Sequence, residues 1–397
     1  MEESAPYSVR LEADKALHLV KQGSSLLLLD LPPSLSFGID LQMFVVGTMF
    51  RGVKMVPPGP HFIYYSVMSR SGDAAPVTGF FITGTQSKVI VMRWDSQQEI
   101  FVKLTDPAEE ERYAYAVRNL EFDKNLAPYD LHHFRRWEEL SNYVTPAVIK
   151  RHEPRDGVIS VVAEAELVEQ HPQTAAERMM VEQIIKGKET YGFRNKEGGE
   201  GSTQDRSRCR YTRLPRLLKR SGAEAKDLTS LNLDKSIALE KALKESYDGS
   251  EELLLGELQF AYIAFLMGQS LEGFSQWKSI VSLMFGCQEA PLRTRTRLFV
   301  KFLEVLYHQM RQGLKNNKSD VALDDSSWFS ADNFFRLLSK DFLLMLKTTQ
   351  PVDGELLMQA RRLKHLLESR LGWDLDNEIS DANVDDDEYA PVVVMDV

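Results

Sequence analysis

Apolar residues in the first 150 positions come in short runs, several of them alternating with polar residues and each closed by glycine, proline or a polar cluster. That pattern predicts strands. SLLLLDLP is an apolar run halted by Pro32 and Pro33, and FGIDLQMFVVG follows it. Pro57, Pro58 and Gly59 form a turn ahead of the aromatic strand HFIYYSVM. TGFFITGTQSKVIVMRWD predicts a hairpin in which FFITG and VIVMRW flank a polar turn. Helices are fewer here. One is expected from about Glu12 to Lys21, closed by Gly23. A second is expected from Pro107 to Leu120, with Asp106 as its cap and Glu109, Glu110 and Glu111 against the positive helix end. A third, in DLHHFRRWEELSNYV, places Leu131, Phe134, Trp137 and Leu140 on one apolar stripe.

From about residue 228 the period becomes helical. LNLDKSIALEKALKESY, capped by Asp234, opens a series of six segments that ends at DGELLMQARRLKHLLESRLGW. Successive helices with short connections stack as antiparallel pairs, and LLLGELQFAYIAFLMG, apolar almost all round, is the expected central helix. The stretch 186–226 has no periodic face and is rich in Gly, Arg, Lys, Ser and Thr, which predicts a flexible linker. The expected fold class is therefore α+β. A β-rich domain, sandwich or barrel-like, occupies 1–170, and an all-α helical array occupies 227–372. Residues 373–397 form an acidic tail ending in the β-prone PVVVMDV. That end is either tucked onto its own first domain or donated to a partner's sheet, with Val392, Val393, Val394 and Met395 as the candidate contacts.

Charge and composition narrow the function classes. A formal charge of -10 argues against broad nucleic-acid affinity. The exception is local: Arg206, Arg208, Arg210, Arg213, Arg216, Lys219 and Arg220 surround one tyrosine. They suit phosphate contact with stacking, docking to an acidic partner, an import signal or a solvated linker. Two cysteines, Cys209 and Cys287, provide no disulfide framework and fit a reducing compartment. The first residues are acidic and polar rather than leader-like, and no apolar run reaches membrane-spanning length. Catalytic motifs are missing: no G-x-G-x-x-G after a strand, no G-x4-G-K-[S/T], no H-E-x-x-H and no C-x-x-C. His61, His308 and His365 are expected to be structural, and the adjacent His132 and His133 point to different sides of one helix. No cofactor or metal is expected. An enzyme would need a nucleophile–base pair assembled only in three dimensions, with His61 and Asp40 the place to look.

The signature residues come next. FGID, with Phe37, Gly38 and Asp40, precedes FRGVKMVPPG, with Arg51, Gly52, Lys54, Pro57, Pro58 and Gly59, and then HFIYYS. GELQFAY follows in the helical half, with Gly256, Glu257, Gln259 and Phe260, as do Trp277-Lys278, LYHQ at 306–309 and APVVV at 390–394. Together they resemble the eukaryotic A1-alpha2 repression splicing factor family, over nearly the whole chain except 186–226. The resemblance implies a β-rich domain followed by a helical one, and a non-enzymatic role in assembling the U5 snRNP. It implies binding to the RNase H-like and MPN-type domains of the large spliceosomal scaffold protein, with the U4/U6-unwinding helicase kept off until the particle matures. Val392 to Val394 stand where the family donates a strand to a sheet shared by those domains. A cytoplasmic protein, also found in the nucleus and monomeric on its own, is expected, with RNA contact indirect. The motif at 50–59 either builds an internal turn or touches the partner.

Overall fold

One short segment explains the layering of the first half. Residues Ser24–Leu29 form a strand buried on both faces, so its sequence is a continuous apolar run instead of an alternating one. Leu26 and Leu28 point into one core, and Leu27 and Leu29 into another. The computed structural model describes residues 22–32, 35–67, 75–160, 208–215, 233–314, 333–349 and 351–376. The helix expected over 12–21 and the tail strand lie outside them. Two units are distinguished.

In the first unit the strands are β1 (Ser24–Leu29), β2 (Leu35–Ile39), β3 (Gln42–Val45), β4 (Gly52–Val56), β5 (Gly59–Val67), β6 (Thr78–Gly84), β7 (Val89–Asp95), β8 (Ile100–Lys103), β9 (Leu126–Pro128) and β10 (Ile159–Ser160). Among the described residues they make two five-stranded sheets, ordered β8-β7-β1-β4-β9 and β10-β6-β5-β2-β3. Of the two architectures left open, this is the sandwich. Its core takes alternate residues from both sheets, with Phe37 and Ile39, Ile63 and Tyr65, and Phe80 and Ile82 against Leu26, Leu28, Met92 and Trp94. The outer face of the first sheet is covered by α1 (Pro107–Arg118) through Ala114 and Val117. Asp106 caps α1 as expected, and the helix ends two residues early because Leu120 turns to a positive φ of 65°.

The expected hairpin of β6 with β7 does not form. β6 pairs with β5 and β10, whereas β7 pairs with β1 and β8 in the other sheet. The reason is burial. Both strands carry large inward residues, and Phe80 and Ile82 cover Met92 and Trp94 across the sandwich rather than beside them. The consecutive antiparallel pairs that do form are β5–β6, β7–β8 and β2–β3, the last splitting FGIDLQMFVVG at a two-residue turn where Asp40 takes φ 53°. Pro57 and Pro58 do turn the chain, carrying it from β4 in one sheet to β5 in the other. Two more helices, α2 (Leu131–Ser141) and α3 (Pro146–His152), complete this unit, and the second was not foreseen.

The second unit is helical. α4 (Ser236–Ser246), α5 (Glu251–Gly268), α6 (Leu271–Phe285), α7 (Thr296–Gly313), α8 (Asn333–Thr348) and α9 (Gly354–Leu371) match the six expected segments. α5 is buried almost throughout, as its unbroken apolar sequence requires. The most extensive helix packing joins α7 to α9 rather than chain neighbours. Polar ties fix the helix starts. The Asp234 carboxylate accepts from Ser236 N–H at 2.9 Å and also from Gln288 and Glu289 N–H at 2.8 and 3.2 Å, so it stitches α4 to the turn after α6. Burial would raise its pKa, but these donors hold it below the usual carboxylate range. Arg295, ahead of α7, forks onto Glu240 at 2.7 and 2.8 Å and reaches Glu251 at 2.9 Å.

Candidate functional site

Asp40 and His61, the pair singled out for a hidden active site, do meet. Asp40 sits in the β2–β3 turn and His61 two residues into β5, and neither exposes any surface. His61 Nδ1 lies 2.6 Å from Asp40 Oδ2, and Nε2 lies 2.7 Å from the Pro57 carbonyl oxygen. With Asp40 ionised both neighbours are acceptors, and the geometry favours a proton on each ring nitrogen, the imidazolium form. Burial alone would lower its pKa, yet the Asp40 charge and the two hydrogen bonds outweigh burial and raise it. Asp40 is saturated as well. Tyr129 donates its hydroxyl at 2.7 Å and Phe62 its N–H at 2.9 Å.

Aromatic rings enclose the cation. Trp137 and Phe134 of α2 stack near His61 at 6.4 and 6.3 Å between centroids, and Tyr129 meets it edge-on at 5.7 Å. The Trp137 indole donates to the Pro60 carbonyl at 2.8 Å, fixing α2 over β5. Gln42 and Asp130 add a reciprocal pair of bonds at 3.0 and 2.9 Å, and the Asp130 carboxylate caps α2. With every nitrogen and oxygen of the pair occupied and no opening to solvent, this cluster locks a turn, a strand and a helix together. It presents nothing to a substrate. Sequence reasoning found Asp40 and His61 but missed Tyr129 as their partner, because 68 positions separate it from His61 and no spacing rule links them.

The remaining signature residues of this unit build the same frame. Phe37 is fully buried. A Cβ at Gly38 would lie 2.2 Å from the Tyr64 ring, which covers it from β5. Gly52 has φ 131°, and a Cβ there would lie 1.9 Å from the Leu26 carbonyl oxygen, so only glycine lets β4 pair with β1. Arg51 bonds through its backbone to Leu28 and Asn125, and the Lys54 ammonium binds the carbonyl and the carboxylate of Asp123 ahead of β9. Pro57 supplies the carbonyl that His61 grips, Gly59 takes φ 132°, and Pro58 is exposed.

In the helical unit, Gly256, Glu257, Gln259 and Phe260 are buried in α5, and two of them hold a piece of the basic stretch. Glu257 Oε1 accepts from Thr212 N–H at 2.7 Å, Gln276 of α6 donates to the Thr212 carbonyl at 3.0 Å and to Glu257 at 2.9 Å, and Tyr211 packs edge-on against Phe260 at 6.1 Å. Thus Tyr211 and Thr212 form a strap docked on the helices where a flexible linker was expected. The buried Glu257 carboxylate on α5 and the half-buried Gln276 amide on α6 both take a main-chain partner, and Thr212 provides it. Gln276 was missed because a lone glutamine on a helix carries no signal. Arg208, Arg210 and Arg213 of this segment are exposed. Arg206, Arg216, Lys219 and Arg220, and the tail residues Val392, Val393, Val394 and Met395, lie outside the described residues.

Among the described residues no group of three or more His, Cys, Asp or Glu is placed to hold a metal ion, and no helix is long and apolar enough to cross a membrane. Neither Cys209 nor Cys287 forms a disulfide among the described residues, and burial pushes the Cys287 thiol far up, out of the reactive range.

The two units correspond to two known domains. Residues 22–154 match the AAR2 N-terminal domain, and residues 211–376 match the AAR2 C-terminal repeat region, whose start coincides with the docked strap. Proteins named "Protein AAR2 homolog" align along almost the full chain. The mouse protein is 29% identical over 394 residues, covering 98% of this chain and 97% of its own length. The human protein is 28% identical over 396 residues with the same coverage. That of Caenorhabditis elegans is 28% identical over 366 residues, covering 90% and 96%. With both domains present in order and the signature glycines and buried pair accounted for by the fold, this chain belongs to the AAR2 family.

Proposed function

We propose that this protein is a non-enzymatic assembly factor of the U5 snRNP in pre-mRNA splicing. In this reading it binds the RNase H-like and MPN-type domains of the large spliceosomal scaffold protein and keeps the U4/U6-unwinding helicase from binding early. It acts in the cytoplasm, with passage to the nucleus. The observation that supports it most is the near end-to-end match to AAR2 relatives, in a chain whose best acid–base pair is fully buried and used for folding. The β-branched sequence PVVVMDV at 391–397 suits attachment by main-chain hydrogen bonds, which give affinity with little demand on side chains.

The test is affinity purification of the tagged full-length protein from cytoplasmic extract, beside a version ending before Ala390. The scaffold is expected with the full chain, much less of it with the shortened one, and the helicase with neither. Helicase recovered in equal measure with the scaffold would overturn exclusion, and the absence of scaffold would overturn the assembly role. A second reading, RNA contact through the basic stretch, draws on the exposed Arg208, Arg210 and Arg213. It predicts binding that falls steeply with salt and is abolished by reversing those charges.

A further inference from the structure

After α9 the chain does not leave the helical unit. Gly372 takes φ 66°, ends the helix with a left-handed turn, and sends the chain back. Leu375 is buried, and the Asp376 carboxylate pairs with Lys364, seven residues before the end of α9, and lies 3.7 Å from Lys347 of α8. Seven helical residues correspond to about 10 Å of axis. The last described residues therefore run antiparallel to α9, over the seam with α8.

Around them the seam carries basic side chains with apolar steps. Lys340, Leu344 and Lys347 share one stripe of α8 by their spacing, and Arg361 stands one turn before Lys364 on α9. Leu344 is 52% exposed, a large apolar side chain left at the surface, and the Lys347 side chain is 72% exposed. The acids on this side are Asp341, next to Lys340, Glu368, 3.5 Å from Lys364, and Asp374, whose carboxylate accepts from Asp376 N–H at 3.1 Å. The residues that follow, NEISDANVDDDEYAPVVVMDV, contain no lysine or arginine. They carry Glu378, Asp381, Asp385, Asp386, Asp387 and Glu388, spaced by Ile379 and Val384.

We propose that this α8–α9 seam is a docking surface for the acidic segment 377–388 of the same chain, continuing the contact that Asp376 begins. Opposite charge, interleaved apolar positions and the direction of the chain at Asp376 all favour that occupant. Exposed ion pairs are individually weak. A tether only a few residues long supplies an effective concentration in the millimolar range, so weak pairs suffice. A contact of this strength holds the tail and still yields to a partner that offers a sheet edge. The inference concerns the isolated chain and does not rest on the identity of that partner.

Zero-length carbodiimide crosslinking of the full-length protein at low salt tests it, using an equal mixture of unlabelled and nitrogen-15 chains. Asp385 to Glu388, nine to twelve residues beyond Asp376, should crosslink to Lys340, Lys347 or Lys364 within single chains. The yield should fall at least fivefold in 1 M salt. It should fall as much at Lys340 and Lys364 in the double variant Lys347→Glu, Arg361→Glu, and about half as much in Arg361→Gln, with each variant's melting curve recorded to show that it folds. Tail carboxylates crosslinked only elsewhere, mixed-isotope crosslinks marking a second copy as the occupant, unchanged yields in the variants, or no tail crosslinks would each overturn the proposal.

Discussion

Asp40 has the largest consequences of any single residue in the first unit. It accepts from Tyr129 and Phe62 and balances the His61 cation, all with no exposed surface. Replacing Asp40 with asparagine removes one charge of a buried pair and should destabilise that unit by about 3–5 kcal/mol, because His61 must then either stay charged without compensation or give up the proton that one of its two bonds uses. The pH dependence follows from the raised His61 pKa. A group whose folded pKa lies above its unfolded value of about 6.5 stabilises fully below that value and loses the contribution as pH rises through the folded pKa. Amide exchange of β5 in the wild-type chain should therefore quicken as pH rises from 6 to 9 beyond its intrinsic acceleration. The Asp40→Asn variant should lose that excess, since the charge that raises the pKa is gone. A variant that keeps the full excess would mean that His61 is neutral in the folded protein.

At the scale of elements, what was legible in the sequence and what was not divides along a physical line. The six described helices of the second unit and α1 and α2 of the first could be located, because period and caps are local: Asp106 and Asp234 are visible a few residues ahead of the turns they serve. The longer strands could be found as well, but the short β8, β9 and β10 were not expected, since two to four residues display no alternation. Strand partners could not, since the choice between pairing β6 with β7 and packing them face to face is settled by burial that involves β1 and β5. The candidate site shows the same split. Asp40 and His61 were visible, whereas Tyr129 and Trp137 complete their network from far along the chain, and Gln276 does the same for Glu257 in the helical unit. The strap was hidden for a further reason: two residues cannot display a period, and the arginines around them look like linker. Its dependence on Glu257 can be checked. Glu257→Ala removes the acceptor for Thr212 N–H and one partner of Gln276, so the strap should detach more often. Brief trypsin treatment should cut after Arg210 and Arg213 at least tenfold faster than in the wild-type chain, with cleavage after exposed Arg118 of α1 unchanged. Equal rates at all sites would mean that Tyr211 packing and the Gln276 bond to the Thr212 carbonyl hold the strap without Glu257.

For the whole molecule, the proposed role turns on linkage. A chain that contacts two scaffold domains through two units and a tail gains from each contact already made, because the second binding event becomes intramolecular. If the protein bridges the RNase H-like and MPN-type domains, each should raise its affinity for the other, and the coupling must be reciprocal. Calorimetric titration of the full-length protein with either domain alone, and then with one domain in the presence of saturating amounts of the other, measures this directly. The second domain is expected to bind at least tenfold more tightly, about 1.4 kcal/mol of coupling, in either order of addition. The gain should vanish in the chain ending before Ala390, because a strand shared by both domains is the physical link through which one would sense the other. Independent binding in the full-length protein would reduce the bridge to two unrelated contacts. Exclusion of the helicase would then have to come from simple overlap on one domain, and removing the tail would leave that overlap intact.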